Sequence, residues 1–149
     1  MSAQLHTEIS IQATPQRVWE ILTDFAAYPA WNPFIPRISG PATVGSRLHV
    51  QLQPPGGRGM SMRPTVLAVT PSRELRWLGH LGVPGLFDGE HRFRIEPLGT
   101  DRVRFIQEER FTGLLASLVM RFIEHGTRQG FEAMNQALKA RAEQPSLSR

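Results

Sequence analysis

The chain has 149 residues, 40% of them hydrophobic, which suffices for one core and is short for two, so a single domain over 1–149 is expected, with its core at about 4–142. It contains no cysteine, which excludes disulfides, thiolate catalysis and cysteine-ligated metal centres. Its 17 basic side chains outnumber 13 acidic ones, but all except Lys139 are arginine and acids are interleaved among them from Arg17 to Arg149. With a formal charge of only +4, solvated faces are the expectation and no nucleic-acid partner is predicted.

In chain order, Met1 to Glu8 has neither the basic start nor the apolar stretch of a secretory signal. Leu5 to Gln12 alternates as a strand, and Thr14-Pro15 opens a capped helix that runs through Leu22. Asp24 to Phe34 then places aromatics and prolines where neither helix nor strand continues, as the mouth of a pocket requires. Strand patterns follow over Phe34 to Ser39, Ser46 to Gln53, Met60 to Val69, Glu74 to Gly79, Leu86 to Glu96 and Arg102 to Phe111. The separators Pro54-Pro55-Gly56-Gly57, Thr70-Pro71-Ser72 and Pro97-Leu98-Gly99 are turn chemistry, so the seven strands form an antiparallel sheet.

From Leu114 the period becomes helical. Leu115, Leu118, Val119, Phe122, Gly126, Phe131, Met134 and Leu138 share one side, opposite Arg121, Glu124, Arg128 and Glu132. That stripe must be buried on the sheet, which predicts an α+β fold: a bent seven-stranded sheet around one long helix, with two short N-terminal helices closing an end. Gly126 and Gly130 mark a thin or bent section over the pocket, and 143–149 reads as a flexible tail. The longest apolar region, Leu114 to Ile123, is broken by Ser117 and Arg121 and falls short of the roughly 20 residues a membrane span needs. A cytoplasmic location is expected.

Alternation on the two longest strands places Phe87, Gly89, His91, Phe93 and Ile95 inward, and Val103, Phe105, Gln107, Glu109 and Phe111 inward on the next. His91, Gln107 and Glu109 are therefore polar groups on the inner face. Either they satisfy one another as a structural pair, a bulge turns Glu109 outward, or they form the polar floor of a pocket. In the last case the lining would be Trp31, Phe34, Trp77, Phe87, Phe93, Phe105, Phe111, Met120 and Phe122.

The order strand, helix, then Tyr28-Pro29-Ala30-Trp31-Asn32-Pro33-Phe34 resembles the START/Bet v1-like (SRPBCC) superfamily, in its bacterial polyketide cyclase/dehydrase-like branch. The likeness continues in Gly85 to Phe93, in Gln107-Glu108-Glu109-Arg110-Phe111-Thr112-Gly113 and in the long last helix. It implies the helix-grip fold with an internal cavity. One cavity serves unrelated activities in such proteins, and the resemblance implies three readings. A carrier would hold a small or medium hydrophobic ligand (a lipid, polyketide or aromatic metabolite) and orient its polar end with Glu109, His91 and Gln107. A cyclase or dehydratase would use Glu109 and His91 as catalytic acid and base. An interaction module like the Hsp90-activator relatives would use the Arg-rich outer face.

Other motifs add little. The spacing of His80, Asp88 and His91 does not make a metal site, because alternation separates Asp88 from His91; neither metal nor cofactor is expected. Gly56 to Gly59 precedes a strand and not a helix, so it reads as a hairpin loop rather than a phosphate cradle. No nucleophile elbow surrounds a serine. Leu78 to Phe87 is apolar for a loop: it either folds over the end of the core or forms a lip that opens for cargo or makes transient contact with a membrane or partner. A monomer or homodimer is expected.

Overall fold

Pro64 divides a run that reads as one strand into two. It has no N–H to give to a ladder and restricts Arg63 before it, so Met60–Met62 and Thr65–Thr70 join different sheets. The computed structural model describes residues 2–145. In chain order its elements are β1 (Ser2–Ile11), α1 (Pro15–Thr23), a 3-10 turn (Phe25–Ala27), α2 (Tyr28–Trp31), β2 (Arg37–Ser39), β3 (His49–Leu52), β4 (Met60–Met62), β5 (Thr65–Thr70), β6 (Glu74–His80), β7 (Asp88–Pro97), β8 (Val103–Thr112) and α3 (Ala116–Glu143).

Among the described residues the expected seven strands become eight, in a five-stranded sheet ordered β1-β8-β7-β6-β5 and a three-stranded sheet ordered β2-β3-β4. All pairings are antiparallel. Backbone bonds join the two sheets, from Leu48 N–H to the Pro64 carbonyl (2.9 Å) and from Val66 N–H to the Ser46 carbonyl (2.8 Å). The strand expected from Phe34 starts only at Arg37. The Asn32 side chain instead accepts the N–H groups of Phe34 (3.0 Å) and Ile35 (2.8 Å), a local turn that competes with the ladder.

Thr14 caps α1 by accepting Arg17 N–H at 3.1 Å. The Arg17 guanidinium reaches across to the other end of the chain, donating to the carbonyls of Ala142 (2.8 Å) and Arg141 (3.2 Å). Those carbonyls close α3 and have no partner within it, so Arg17 supplies both the hydrogen bonds and the positive charge that a helix C-terminus favours.

The C-terminal half of α3 buries Phe131, Met134, Leu138 and Ala142, lying along β1. Its first half departs from the expected phase: Ala116 and Met120 are buried, whereas Leu118 and Phe122 are 52% and 80% exposed. Apolar residues occur on every side of that segment, so no stripe defines its inner face. The helix runs unbroken past Gly126 and Gly130. At Gly130 it is thin: a β-carbon there would overlap the ring of Phe34.

Candidate functional site

The regular register of β6, β7 and β8 sets the site's geometry. Trp77, His91 and Glu109 lie side by side across the three strands, and the neighbouring row consists of Gly79, Gly89 and Phe111. Two adjacent glycines leave a hollow in the sheet's inner face. The methyl end of Met62 enters it over Gly79 and the Glu109 carboxylate over Gly89, where a β-carbon on either glycine would collide. Above this hollow lies a cavity of about 450 Å³ between the sheet, the β3–β4 loop and the first half of α3.

The inward phase expected for β7 and β8 is what the structure shows: His91 and Gln107 are buried, and only 13% of the Glu109 side chain is exposed. Ladder pairing runs unbroken through Glu109, so no bulge turns it away. Gln107 donates through Nε2 to the Asn135 side-chain oxygen (2.8 Å) and the Phe131 carbonyl (3.2 Å), while Asn135 donates to Thr7 Oγ1 at 3.0 Å. Those bonds leave only Gln107 Oε1 to face His91 Nε2, at 2.9 Å.

An amide oxygen only accepts, so Nε2 carries the imidazole hydrogen. Nδ1 faces Glu109 Oε1 at 3.3 Å, within ion-pair distance. The His91 ring is held flat by stacking on Phe93, 4.2 Å between centroids, and is flanked by Trp77 and Phe131.

Of the residues expected in the pocket, Phe34, Trp77, Phe87, His91, Glu109, Phe111 and Phe122 line the cavity. Phe93, Phe105, Gln107 and Met120 do not: they are buried behind its wall, Gln107 as the hydrogen-bond partner of His91. Trp31 lies away from it, packed edge-on against Tyr28 on the α1–α2 side. In the Tyr28-to-Phe34 run, Tyr28, Asn32 and Phe34 are buried while Pro29, Ala30 and Pro33 are exposed. Tyr28 is fully buried, its hydroxyl donates to the Leu22 carbonyl at 2.5 Å, and burial pushes its ionisation far up.

Val119 and Gly126, expected on the buried side of the last helix, also line the cavity, as do Leu52, Arg58, Met60, Met62 and Ile123, which sequence reasoning missed. The alternating Met60-Ser61-Met62 carried a usable signal. In the 78–87 segment, Leu81 and Phe87 line the cavity, Phe87 as part of the buried core, and His80 binds Asp88 at 2.8 Å, so the segment borders the cavity. That bond, aided by the Gly85 N–H, holds Asp88 below the usual carboxylate range.

A sheet gripping a long C-terminal helix over an apolar cavity with a buried carboxylate–imidazole pair defines a helix-grip protein of the START type. The chain belongs to the family described as polyketide cyclase/dehydrase and lipid transport, whose profile matches residues 2–143. Its fold is similar to that of an aromatase/cyclase from a Streptomyces species, at 15% identity and a TM-score of 0.76 over 96% of this chain and 94% of that one. A START superfamily protein from Mycobacterium smegmatis aligns at 22% identity and a TM-score of 0.71, over 94% and 97% of the two chains. Norcoclaurine synthase from Thalictrum flavum, solved with dopamine and hydroxybenzaldehyde, aligns at 14% identity and a TM-score of 0.72, over 98% and 90%. No curated protein matches the chain.

Proposed function

We propose that the chain binds a small or medium hydrophobic molecule, such as a lipid, polyketide or aromatic metabolite, with its polar end against Glu109. The observation that carries this reading is the cavity itself: about 450 Å³, walled by aromatic and methionine side chains, with the Glu109–His91 pair in its wall. Ligand sites have that volume and that proportion of apolar lining to polar anchors. Burial of the ligand's apolar surface supplies most of the affinity, at about 25 cal/mol per Å². The family description and the ligand-bound synthase of similar fold support it.

A second reading, a cyclase or dehydratase, is favoured by one feature. His91 is held through Nε2 by Gln107, itself fixed by Asn135, so its Nδ1 is aimed at Glu109 in the cavity wall, where a proton-transfer catalyst needs an acid–base pair. The Glu109→Gln variant separates the two readings, because the amide keeps shape and hydrogen bonding while removing the titrating proton. A carrier should keep its affinity within a few-fold across a panel of lipids and polyketide-like aromatics. An enzyme should lose about 10² to 10⁴ in turnover while still binding. If mass spectrometry of the natively purified protein and titration of the wild type with that panel reveal no ligand at all, the binding reading is wrong.

A further inference from the structure

We propose that the segment 81–87 and the first turns of α3 form a face that docks onto an anionic lipid bilayer. Leu81, Val83, Leu114, Leu118 and Phe122 are 49%, 61%, 84%, 52% and 80% exposed. They belong to one platform, since Leu114 N–H donates to the Gly85 carbonyl (3.0 Å) and Leu115 N–H to the Leu86 carbonyl (2.8 Å). Gly113 makes this junction: its φ of 117° suits only glycine, and a β-carbon there would strike the Leu86 carbonyl. Large apolar side chains gathered on two joined segments mark a contact surface rather than scattered exposure.

Charge selects the occupant. Arg58, in the cavity wall, and Arg121, beside Phe122, are exposed and have no carboxylate partner among the described residues. The acids of the same region are already engaged, Asp88 by His80 and Glu124 by Arg128. A second copy docked by a two-fold axis would present the same arginines to this face, like charge to like. Lipid phosphates would neutralise them while the leucines and Phe122 enter the headgroup–acyl boundary. Among the described residues no helix is long and apolar enough to cross a membrane; the proposed contact is interfacial, through the exposed apolar side chains. Leu81 and Phe122 also line the cavity, so the cavity opens toward the lipid. The inference rests on exposure and charge and holds whether or not the cavity carries a ligand.

The test is flotation of the full chain with phosphatidylcholine vesicles, with and without phosphatidylglycerol. The protein should partition to the anionic vesicles, and less as salt is raised. Leu114→Ser with Leu118→Ser should lower partitioning by about tenfold or more. Arg121→Gln should lower it about fivefold. All three side chains are exposed, so circular dichroism and the unfolding midpoint should stay as in the wild type. Equal partitioning to neutral and anionic vesicles, or none to either, would overturn the proposal. So would a concentration-dependent dimer in sedimentation that the double serine variant dissolves, because the face would then be occupied by a second copy.

Discussion

Phe122 and Phe131 stand on the same helix in opposite surroundings, one 80% exposed and the other fully buried against Phe34 and His91. Phe131→Ala should cost about 3 to 5 kcal/mol in urea unfolding, the range for a packed aromatic. Phe122→Ala should stay within about 0.5 kcal/mol, as exposed positions do. Equal losses would show that the first half of α3 packs in solution. Glu109 and His91 were legible because β7 alternates strictly and β8 does so apart from Ile106, an apolar residue out of phase, and alternation fixes which side chains share a face. The separation of Gln107 from the cavity was not. It depends on Asn135 and Phe131, residues 28 and 24 positions away in sequence, and on no pattern within its own strand. Trp31 failed for the opposite reason: its segment looked irregular, but Tyr28–Trp31 closes a helical turn that packs its rings.

At the scale of elements, α3 serves both as core and as cover. Gly126 lies where it covers the cavity, and a β-carbon there would meet only Pro54, at an ordinary 3.7 Å. Gly126→Leu should therefore fill the cavity without strain and remove a weak helix former. Stability should rise or stay level in thermal unfolding while binding of an environment-sensitive aromatic probe falls; undiminished binding would place the ligand elsewhere. The same helix covers the free edge of β1. Arg128 and Lys139 donate to the His6 and Ser10 carbonyls, and Glu143 accepts the Gln12 N–H, which blunts an edge that could otherwise pair with another chain. Element existence and type were readable almost throughout. The split at Pro64 was not, because apolar residues continue on both sides of it.

At the scale of the molecule, the outer face of the larger sheet is a lattice of ion pairs linking Glu8, Glu74, Glu90, Glu96 and Glu108 with Arg76, Arg92, Arg94 and Arg104. Its carboxylates outnumber its guanidinium groups, so the positive surplus read from composition is carried outside this lattice. His6 sits at its border between Glu8 and Glu108, at 2.8 and 3.0 Å. The hydrogen bond to Glu8 is the largest influence and raises its ionisation; burial opposes it, and the bond to Glu108 adds to the rise, which leaves the group above its ordinary value. Its contribution to stability is complete below the unfolded value near 6.5 and is lost as pH rises through the elevated folded value. With 46% of the side chain exposed, screening keeps the effect below about 1 kcal/mol. Urea midpoints at pH 6 and pH 8 should differ less in His6→Gln than in the wild type; an unchanged difference would assign that dependence to another group.

The pairing of β1 with β8 joins Ser2 to Thr112 and Ile11 to Val103, so the first strand made is the partner of the last. On a ribosome adding about 5 to 20 residues per second, β1 waits about 5 to 20 s for its neighbour. During that wait Leu5, Ile9 and Ile11 have neither sheet nor helix to cover them. Nascent chains halted before Val103 should leave the N-terminal segment open to protease, and chains that have released β8 should protect it.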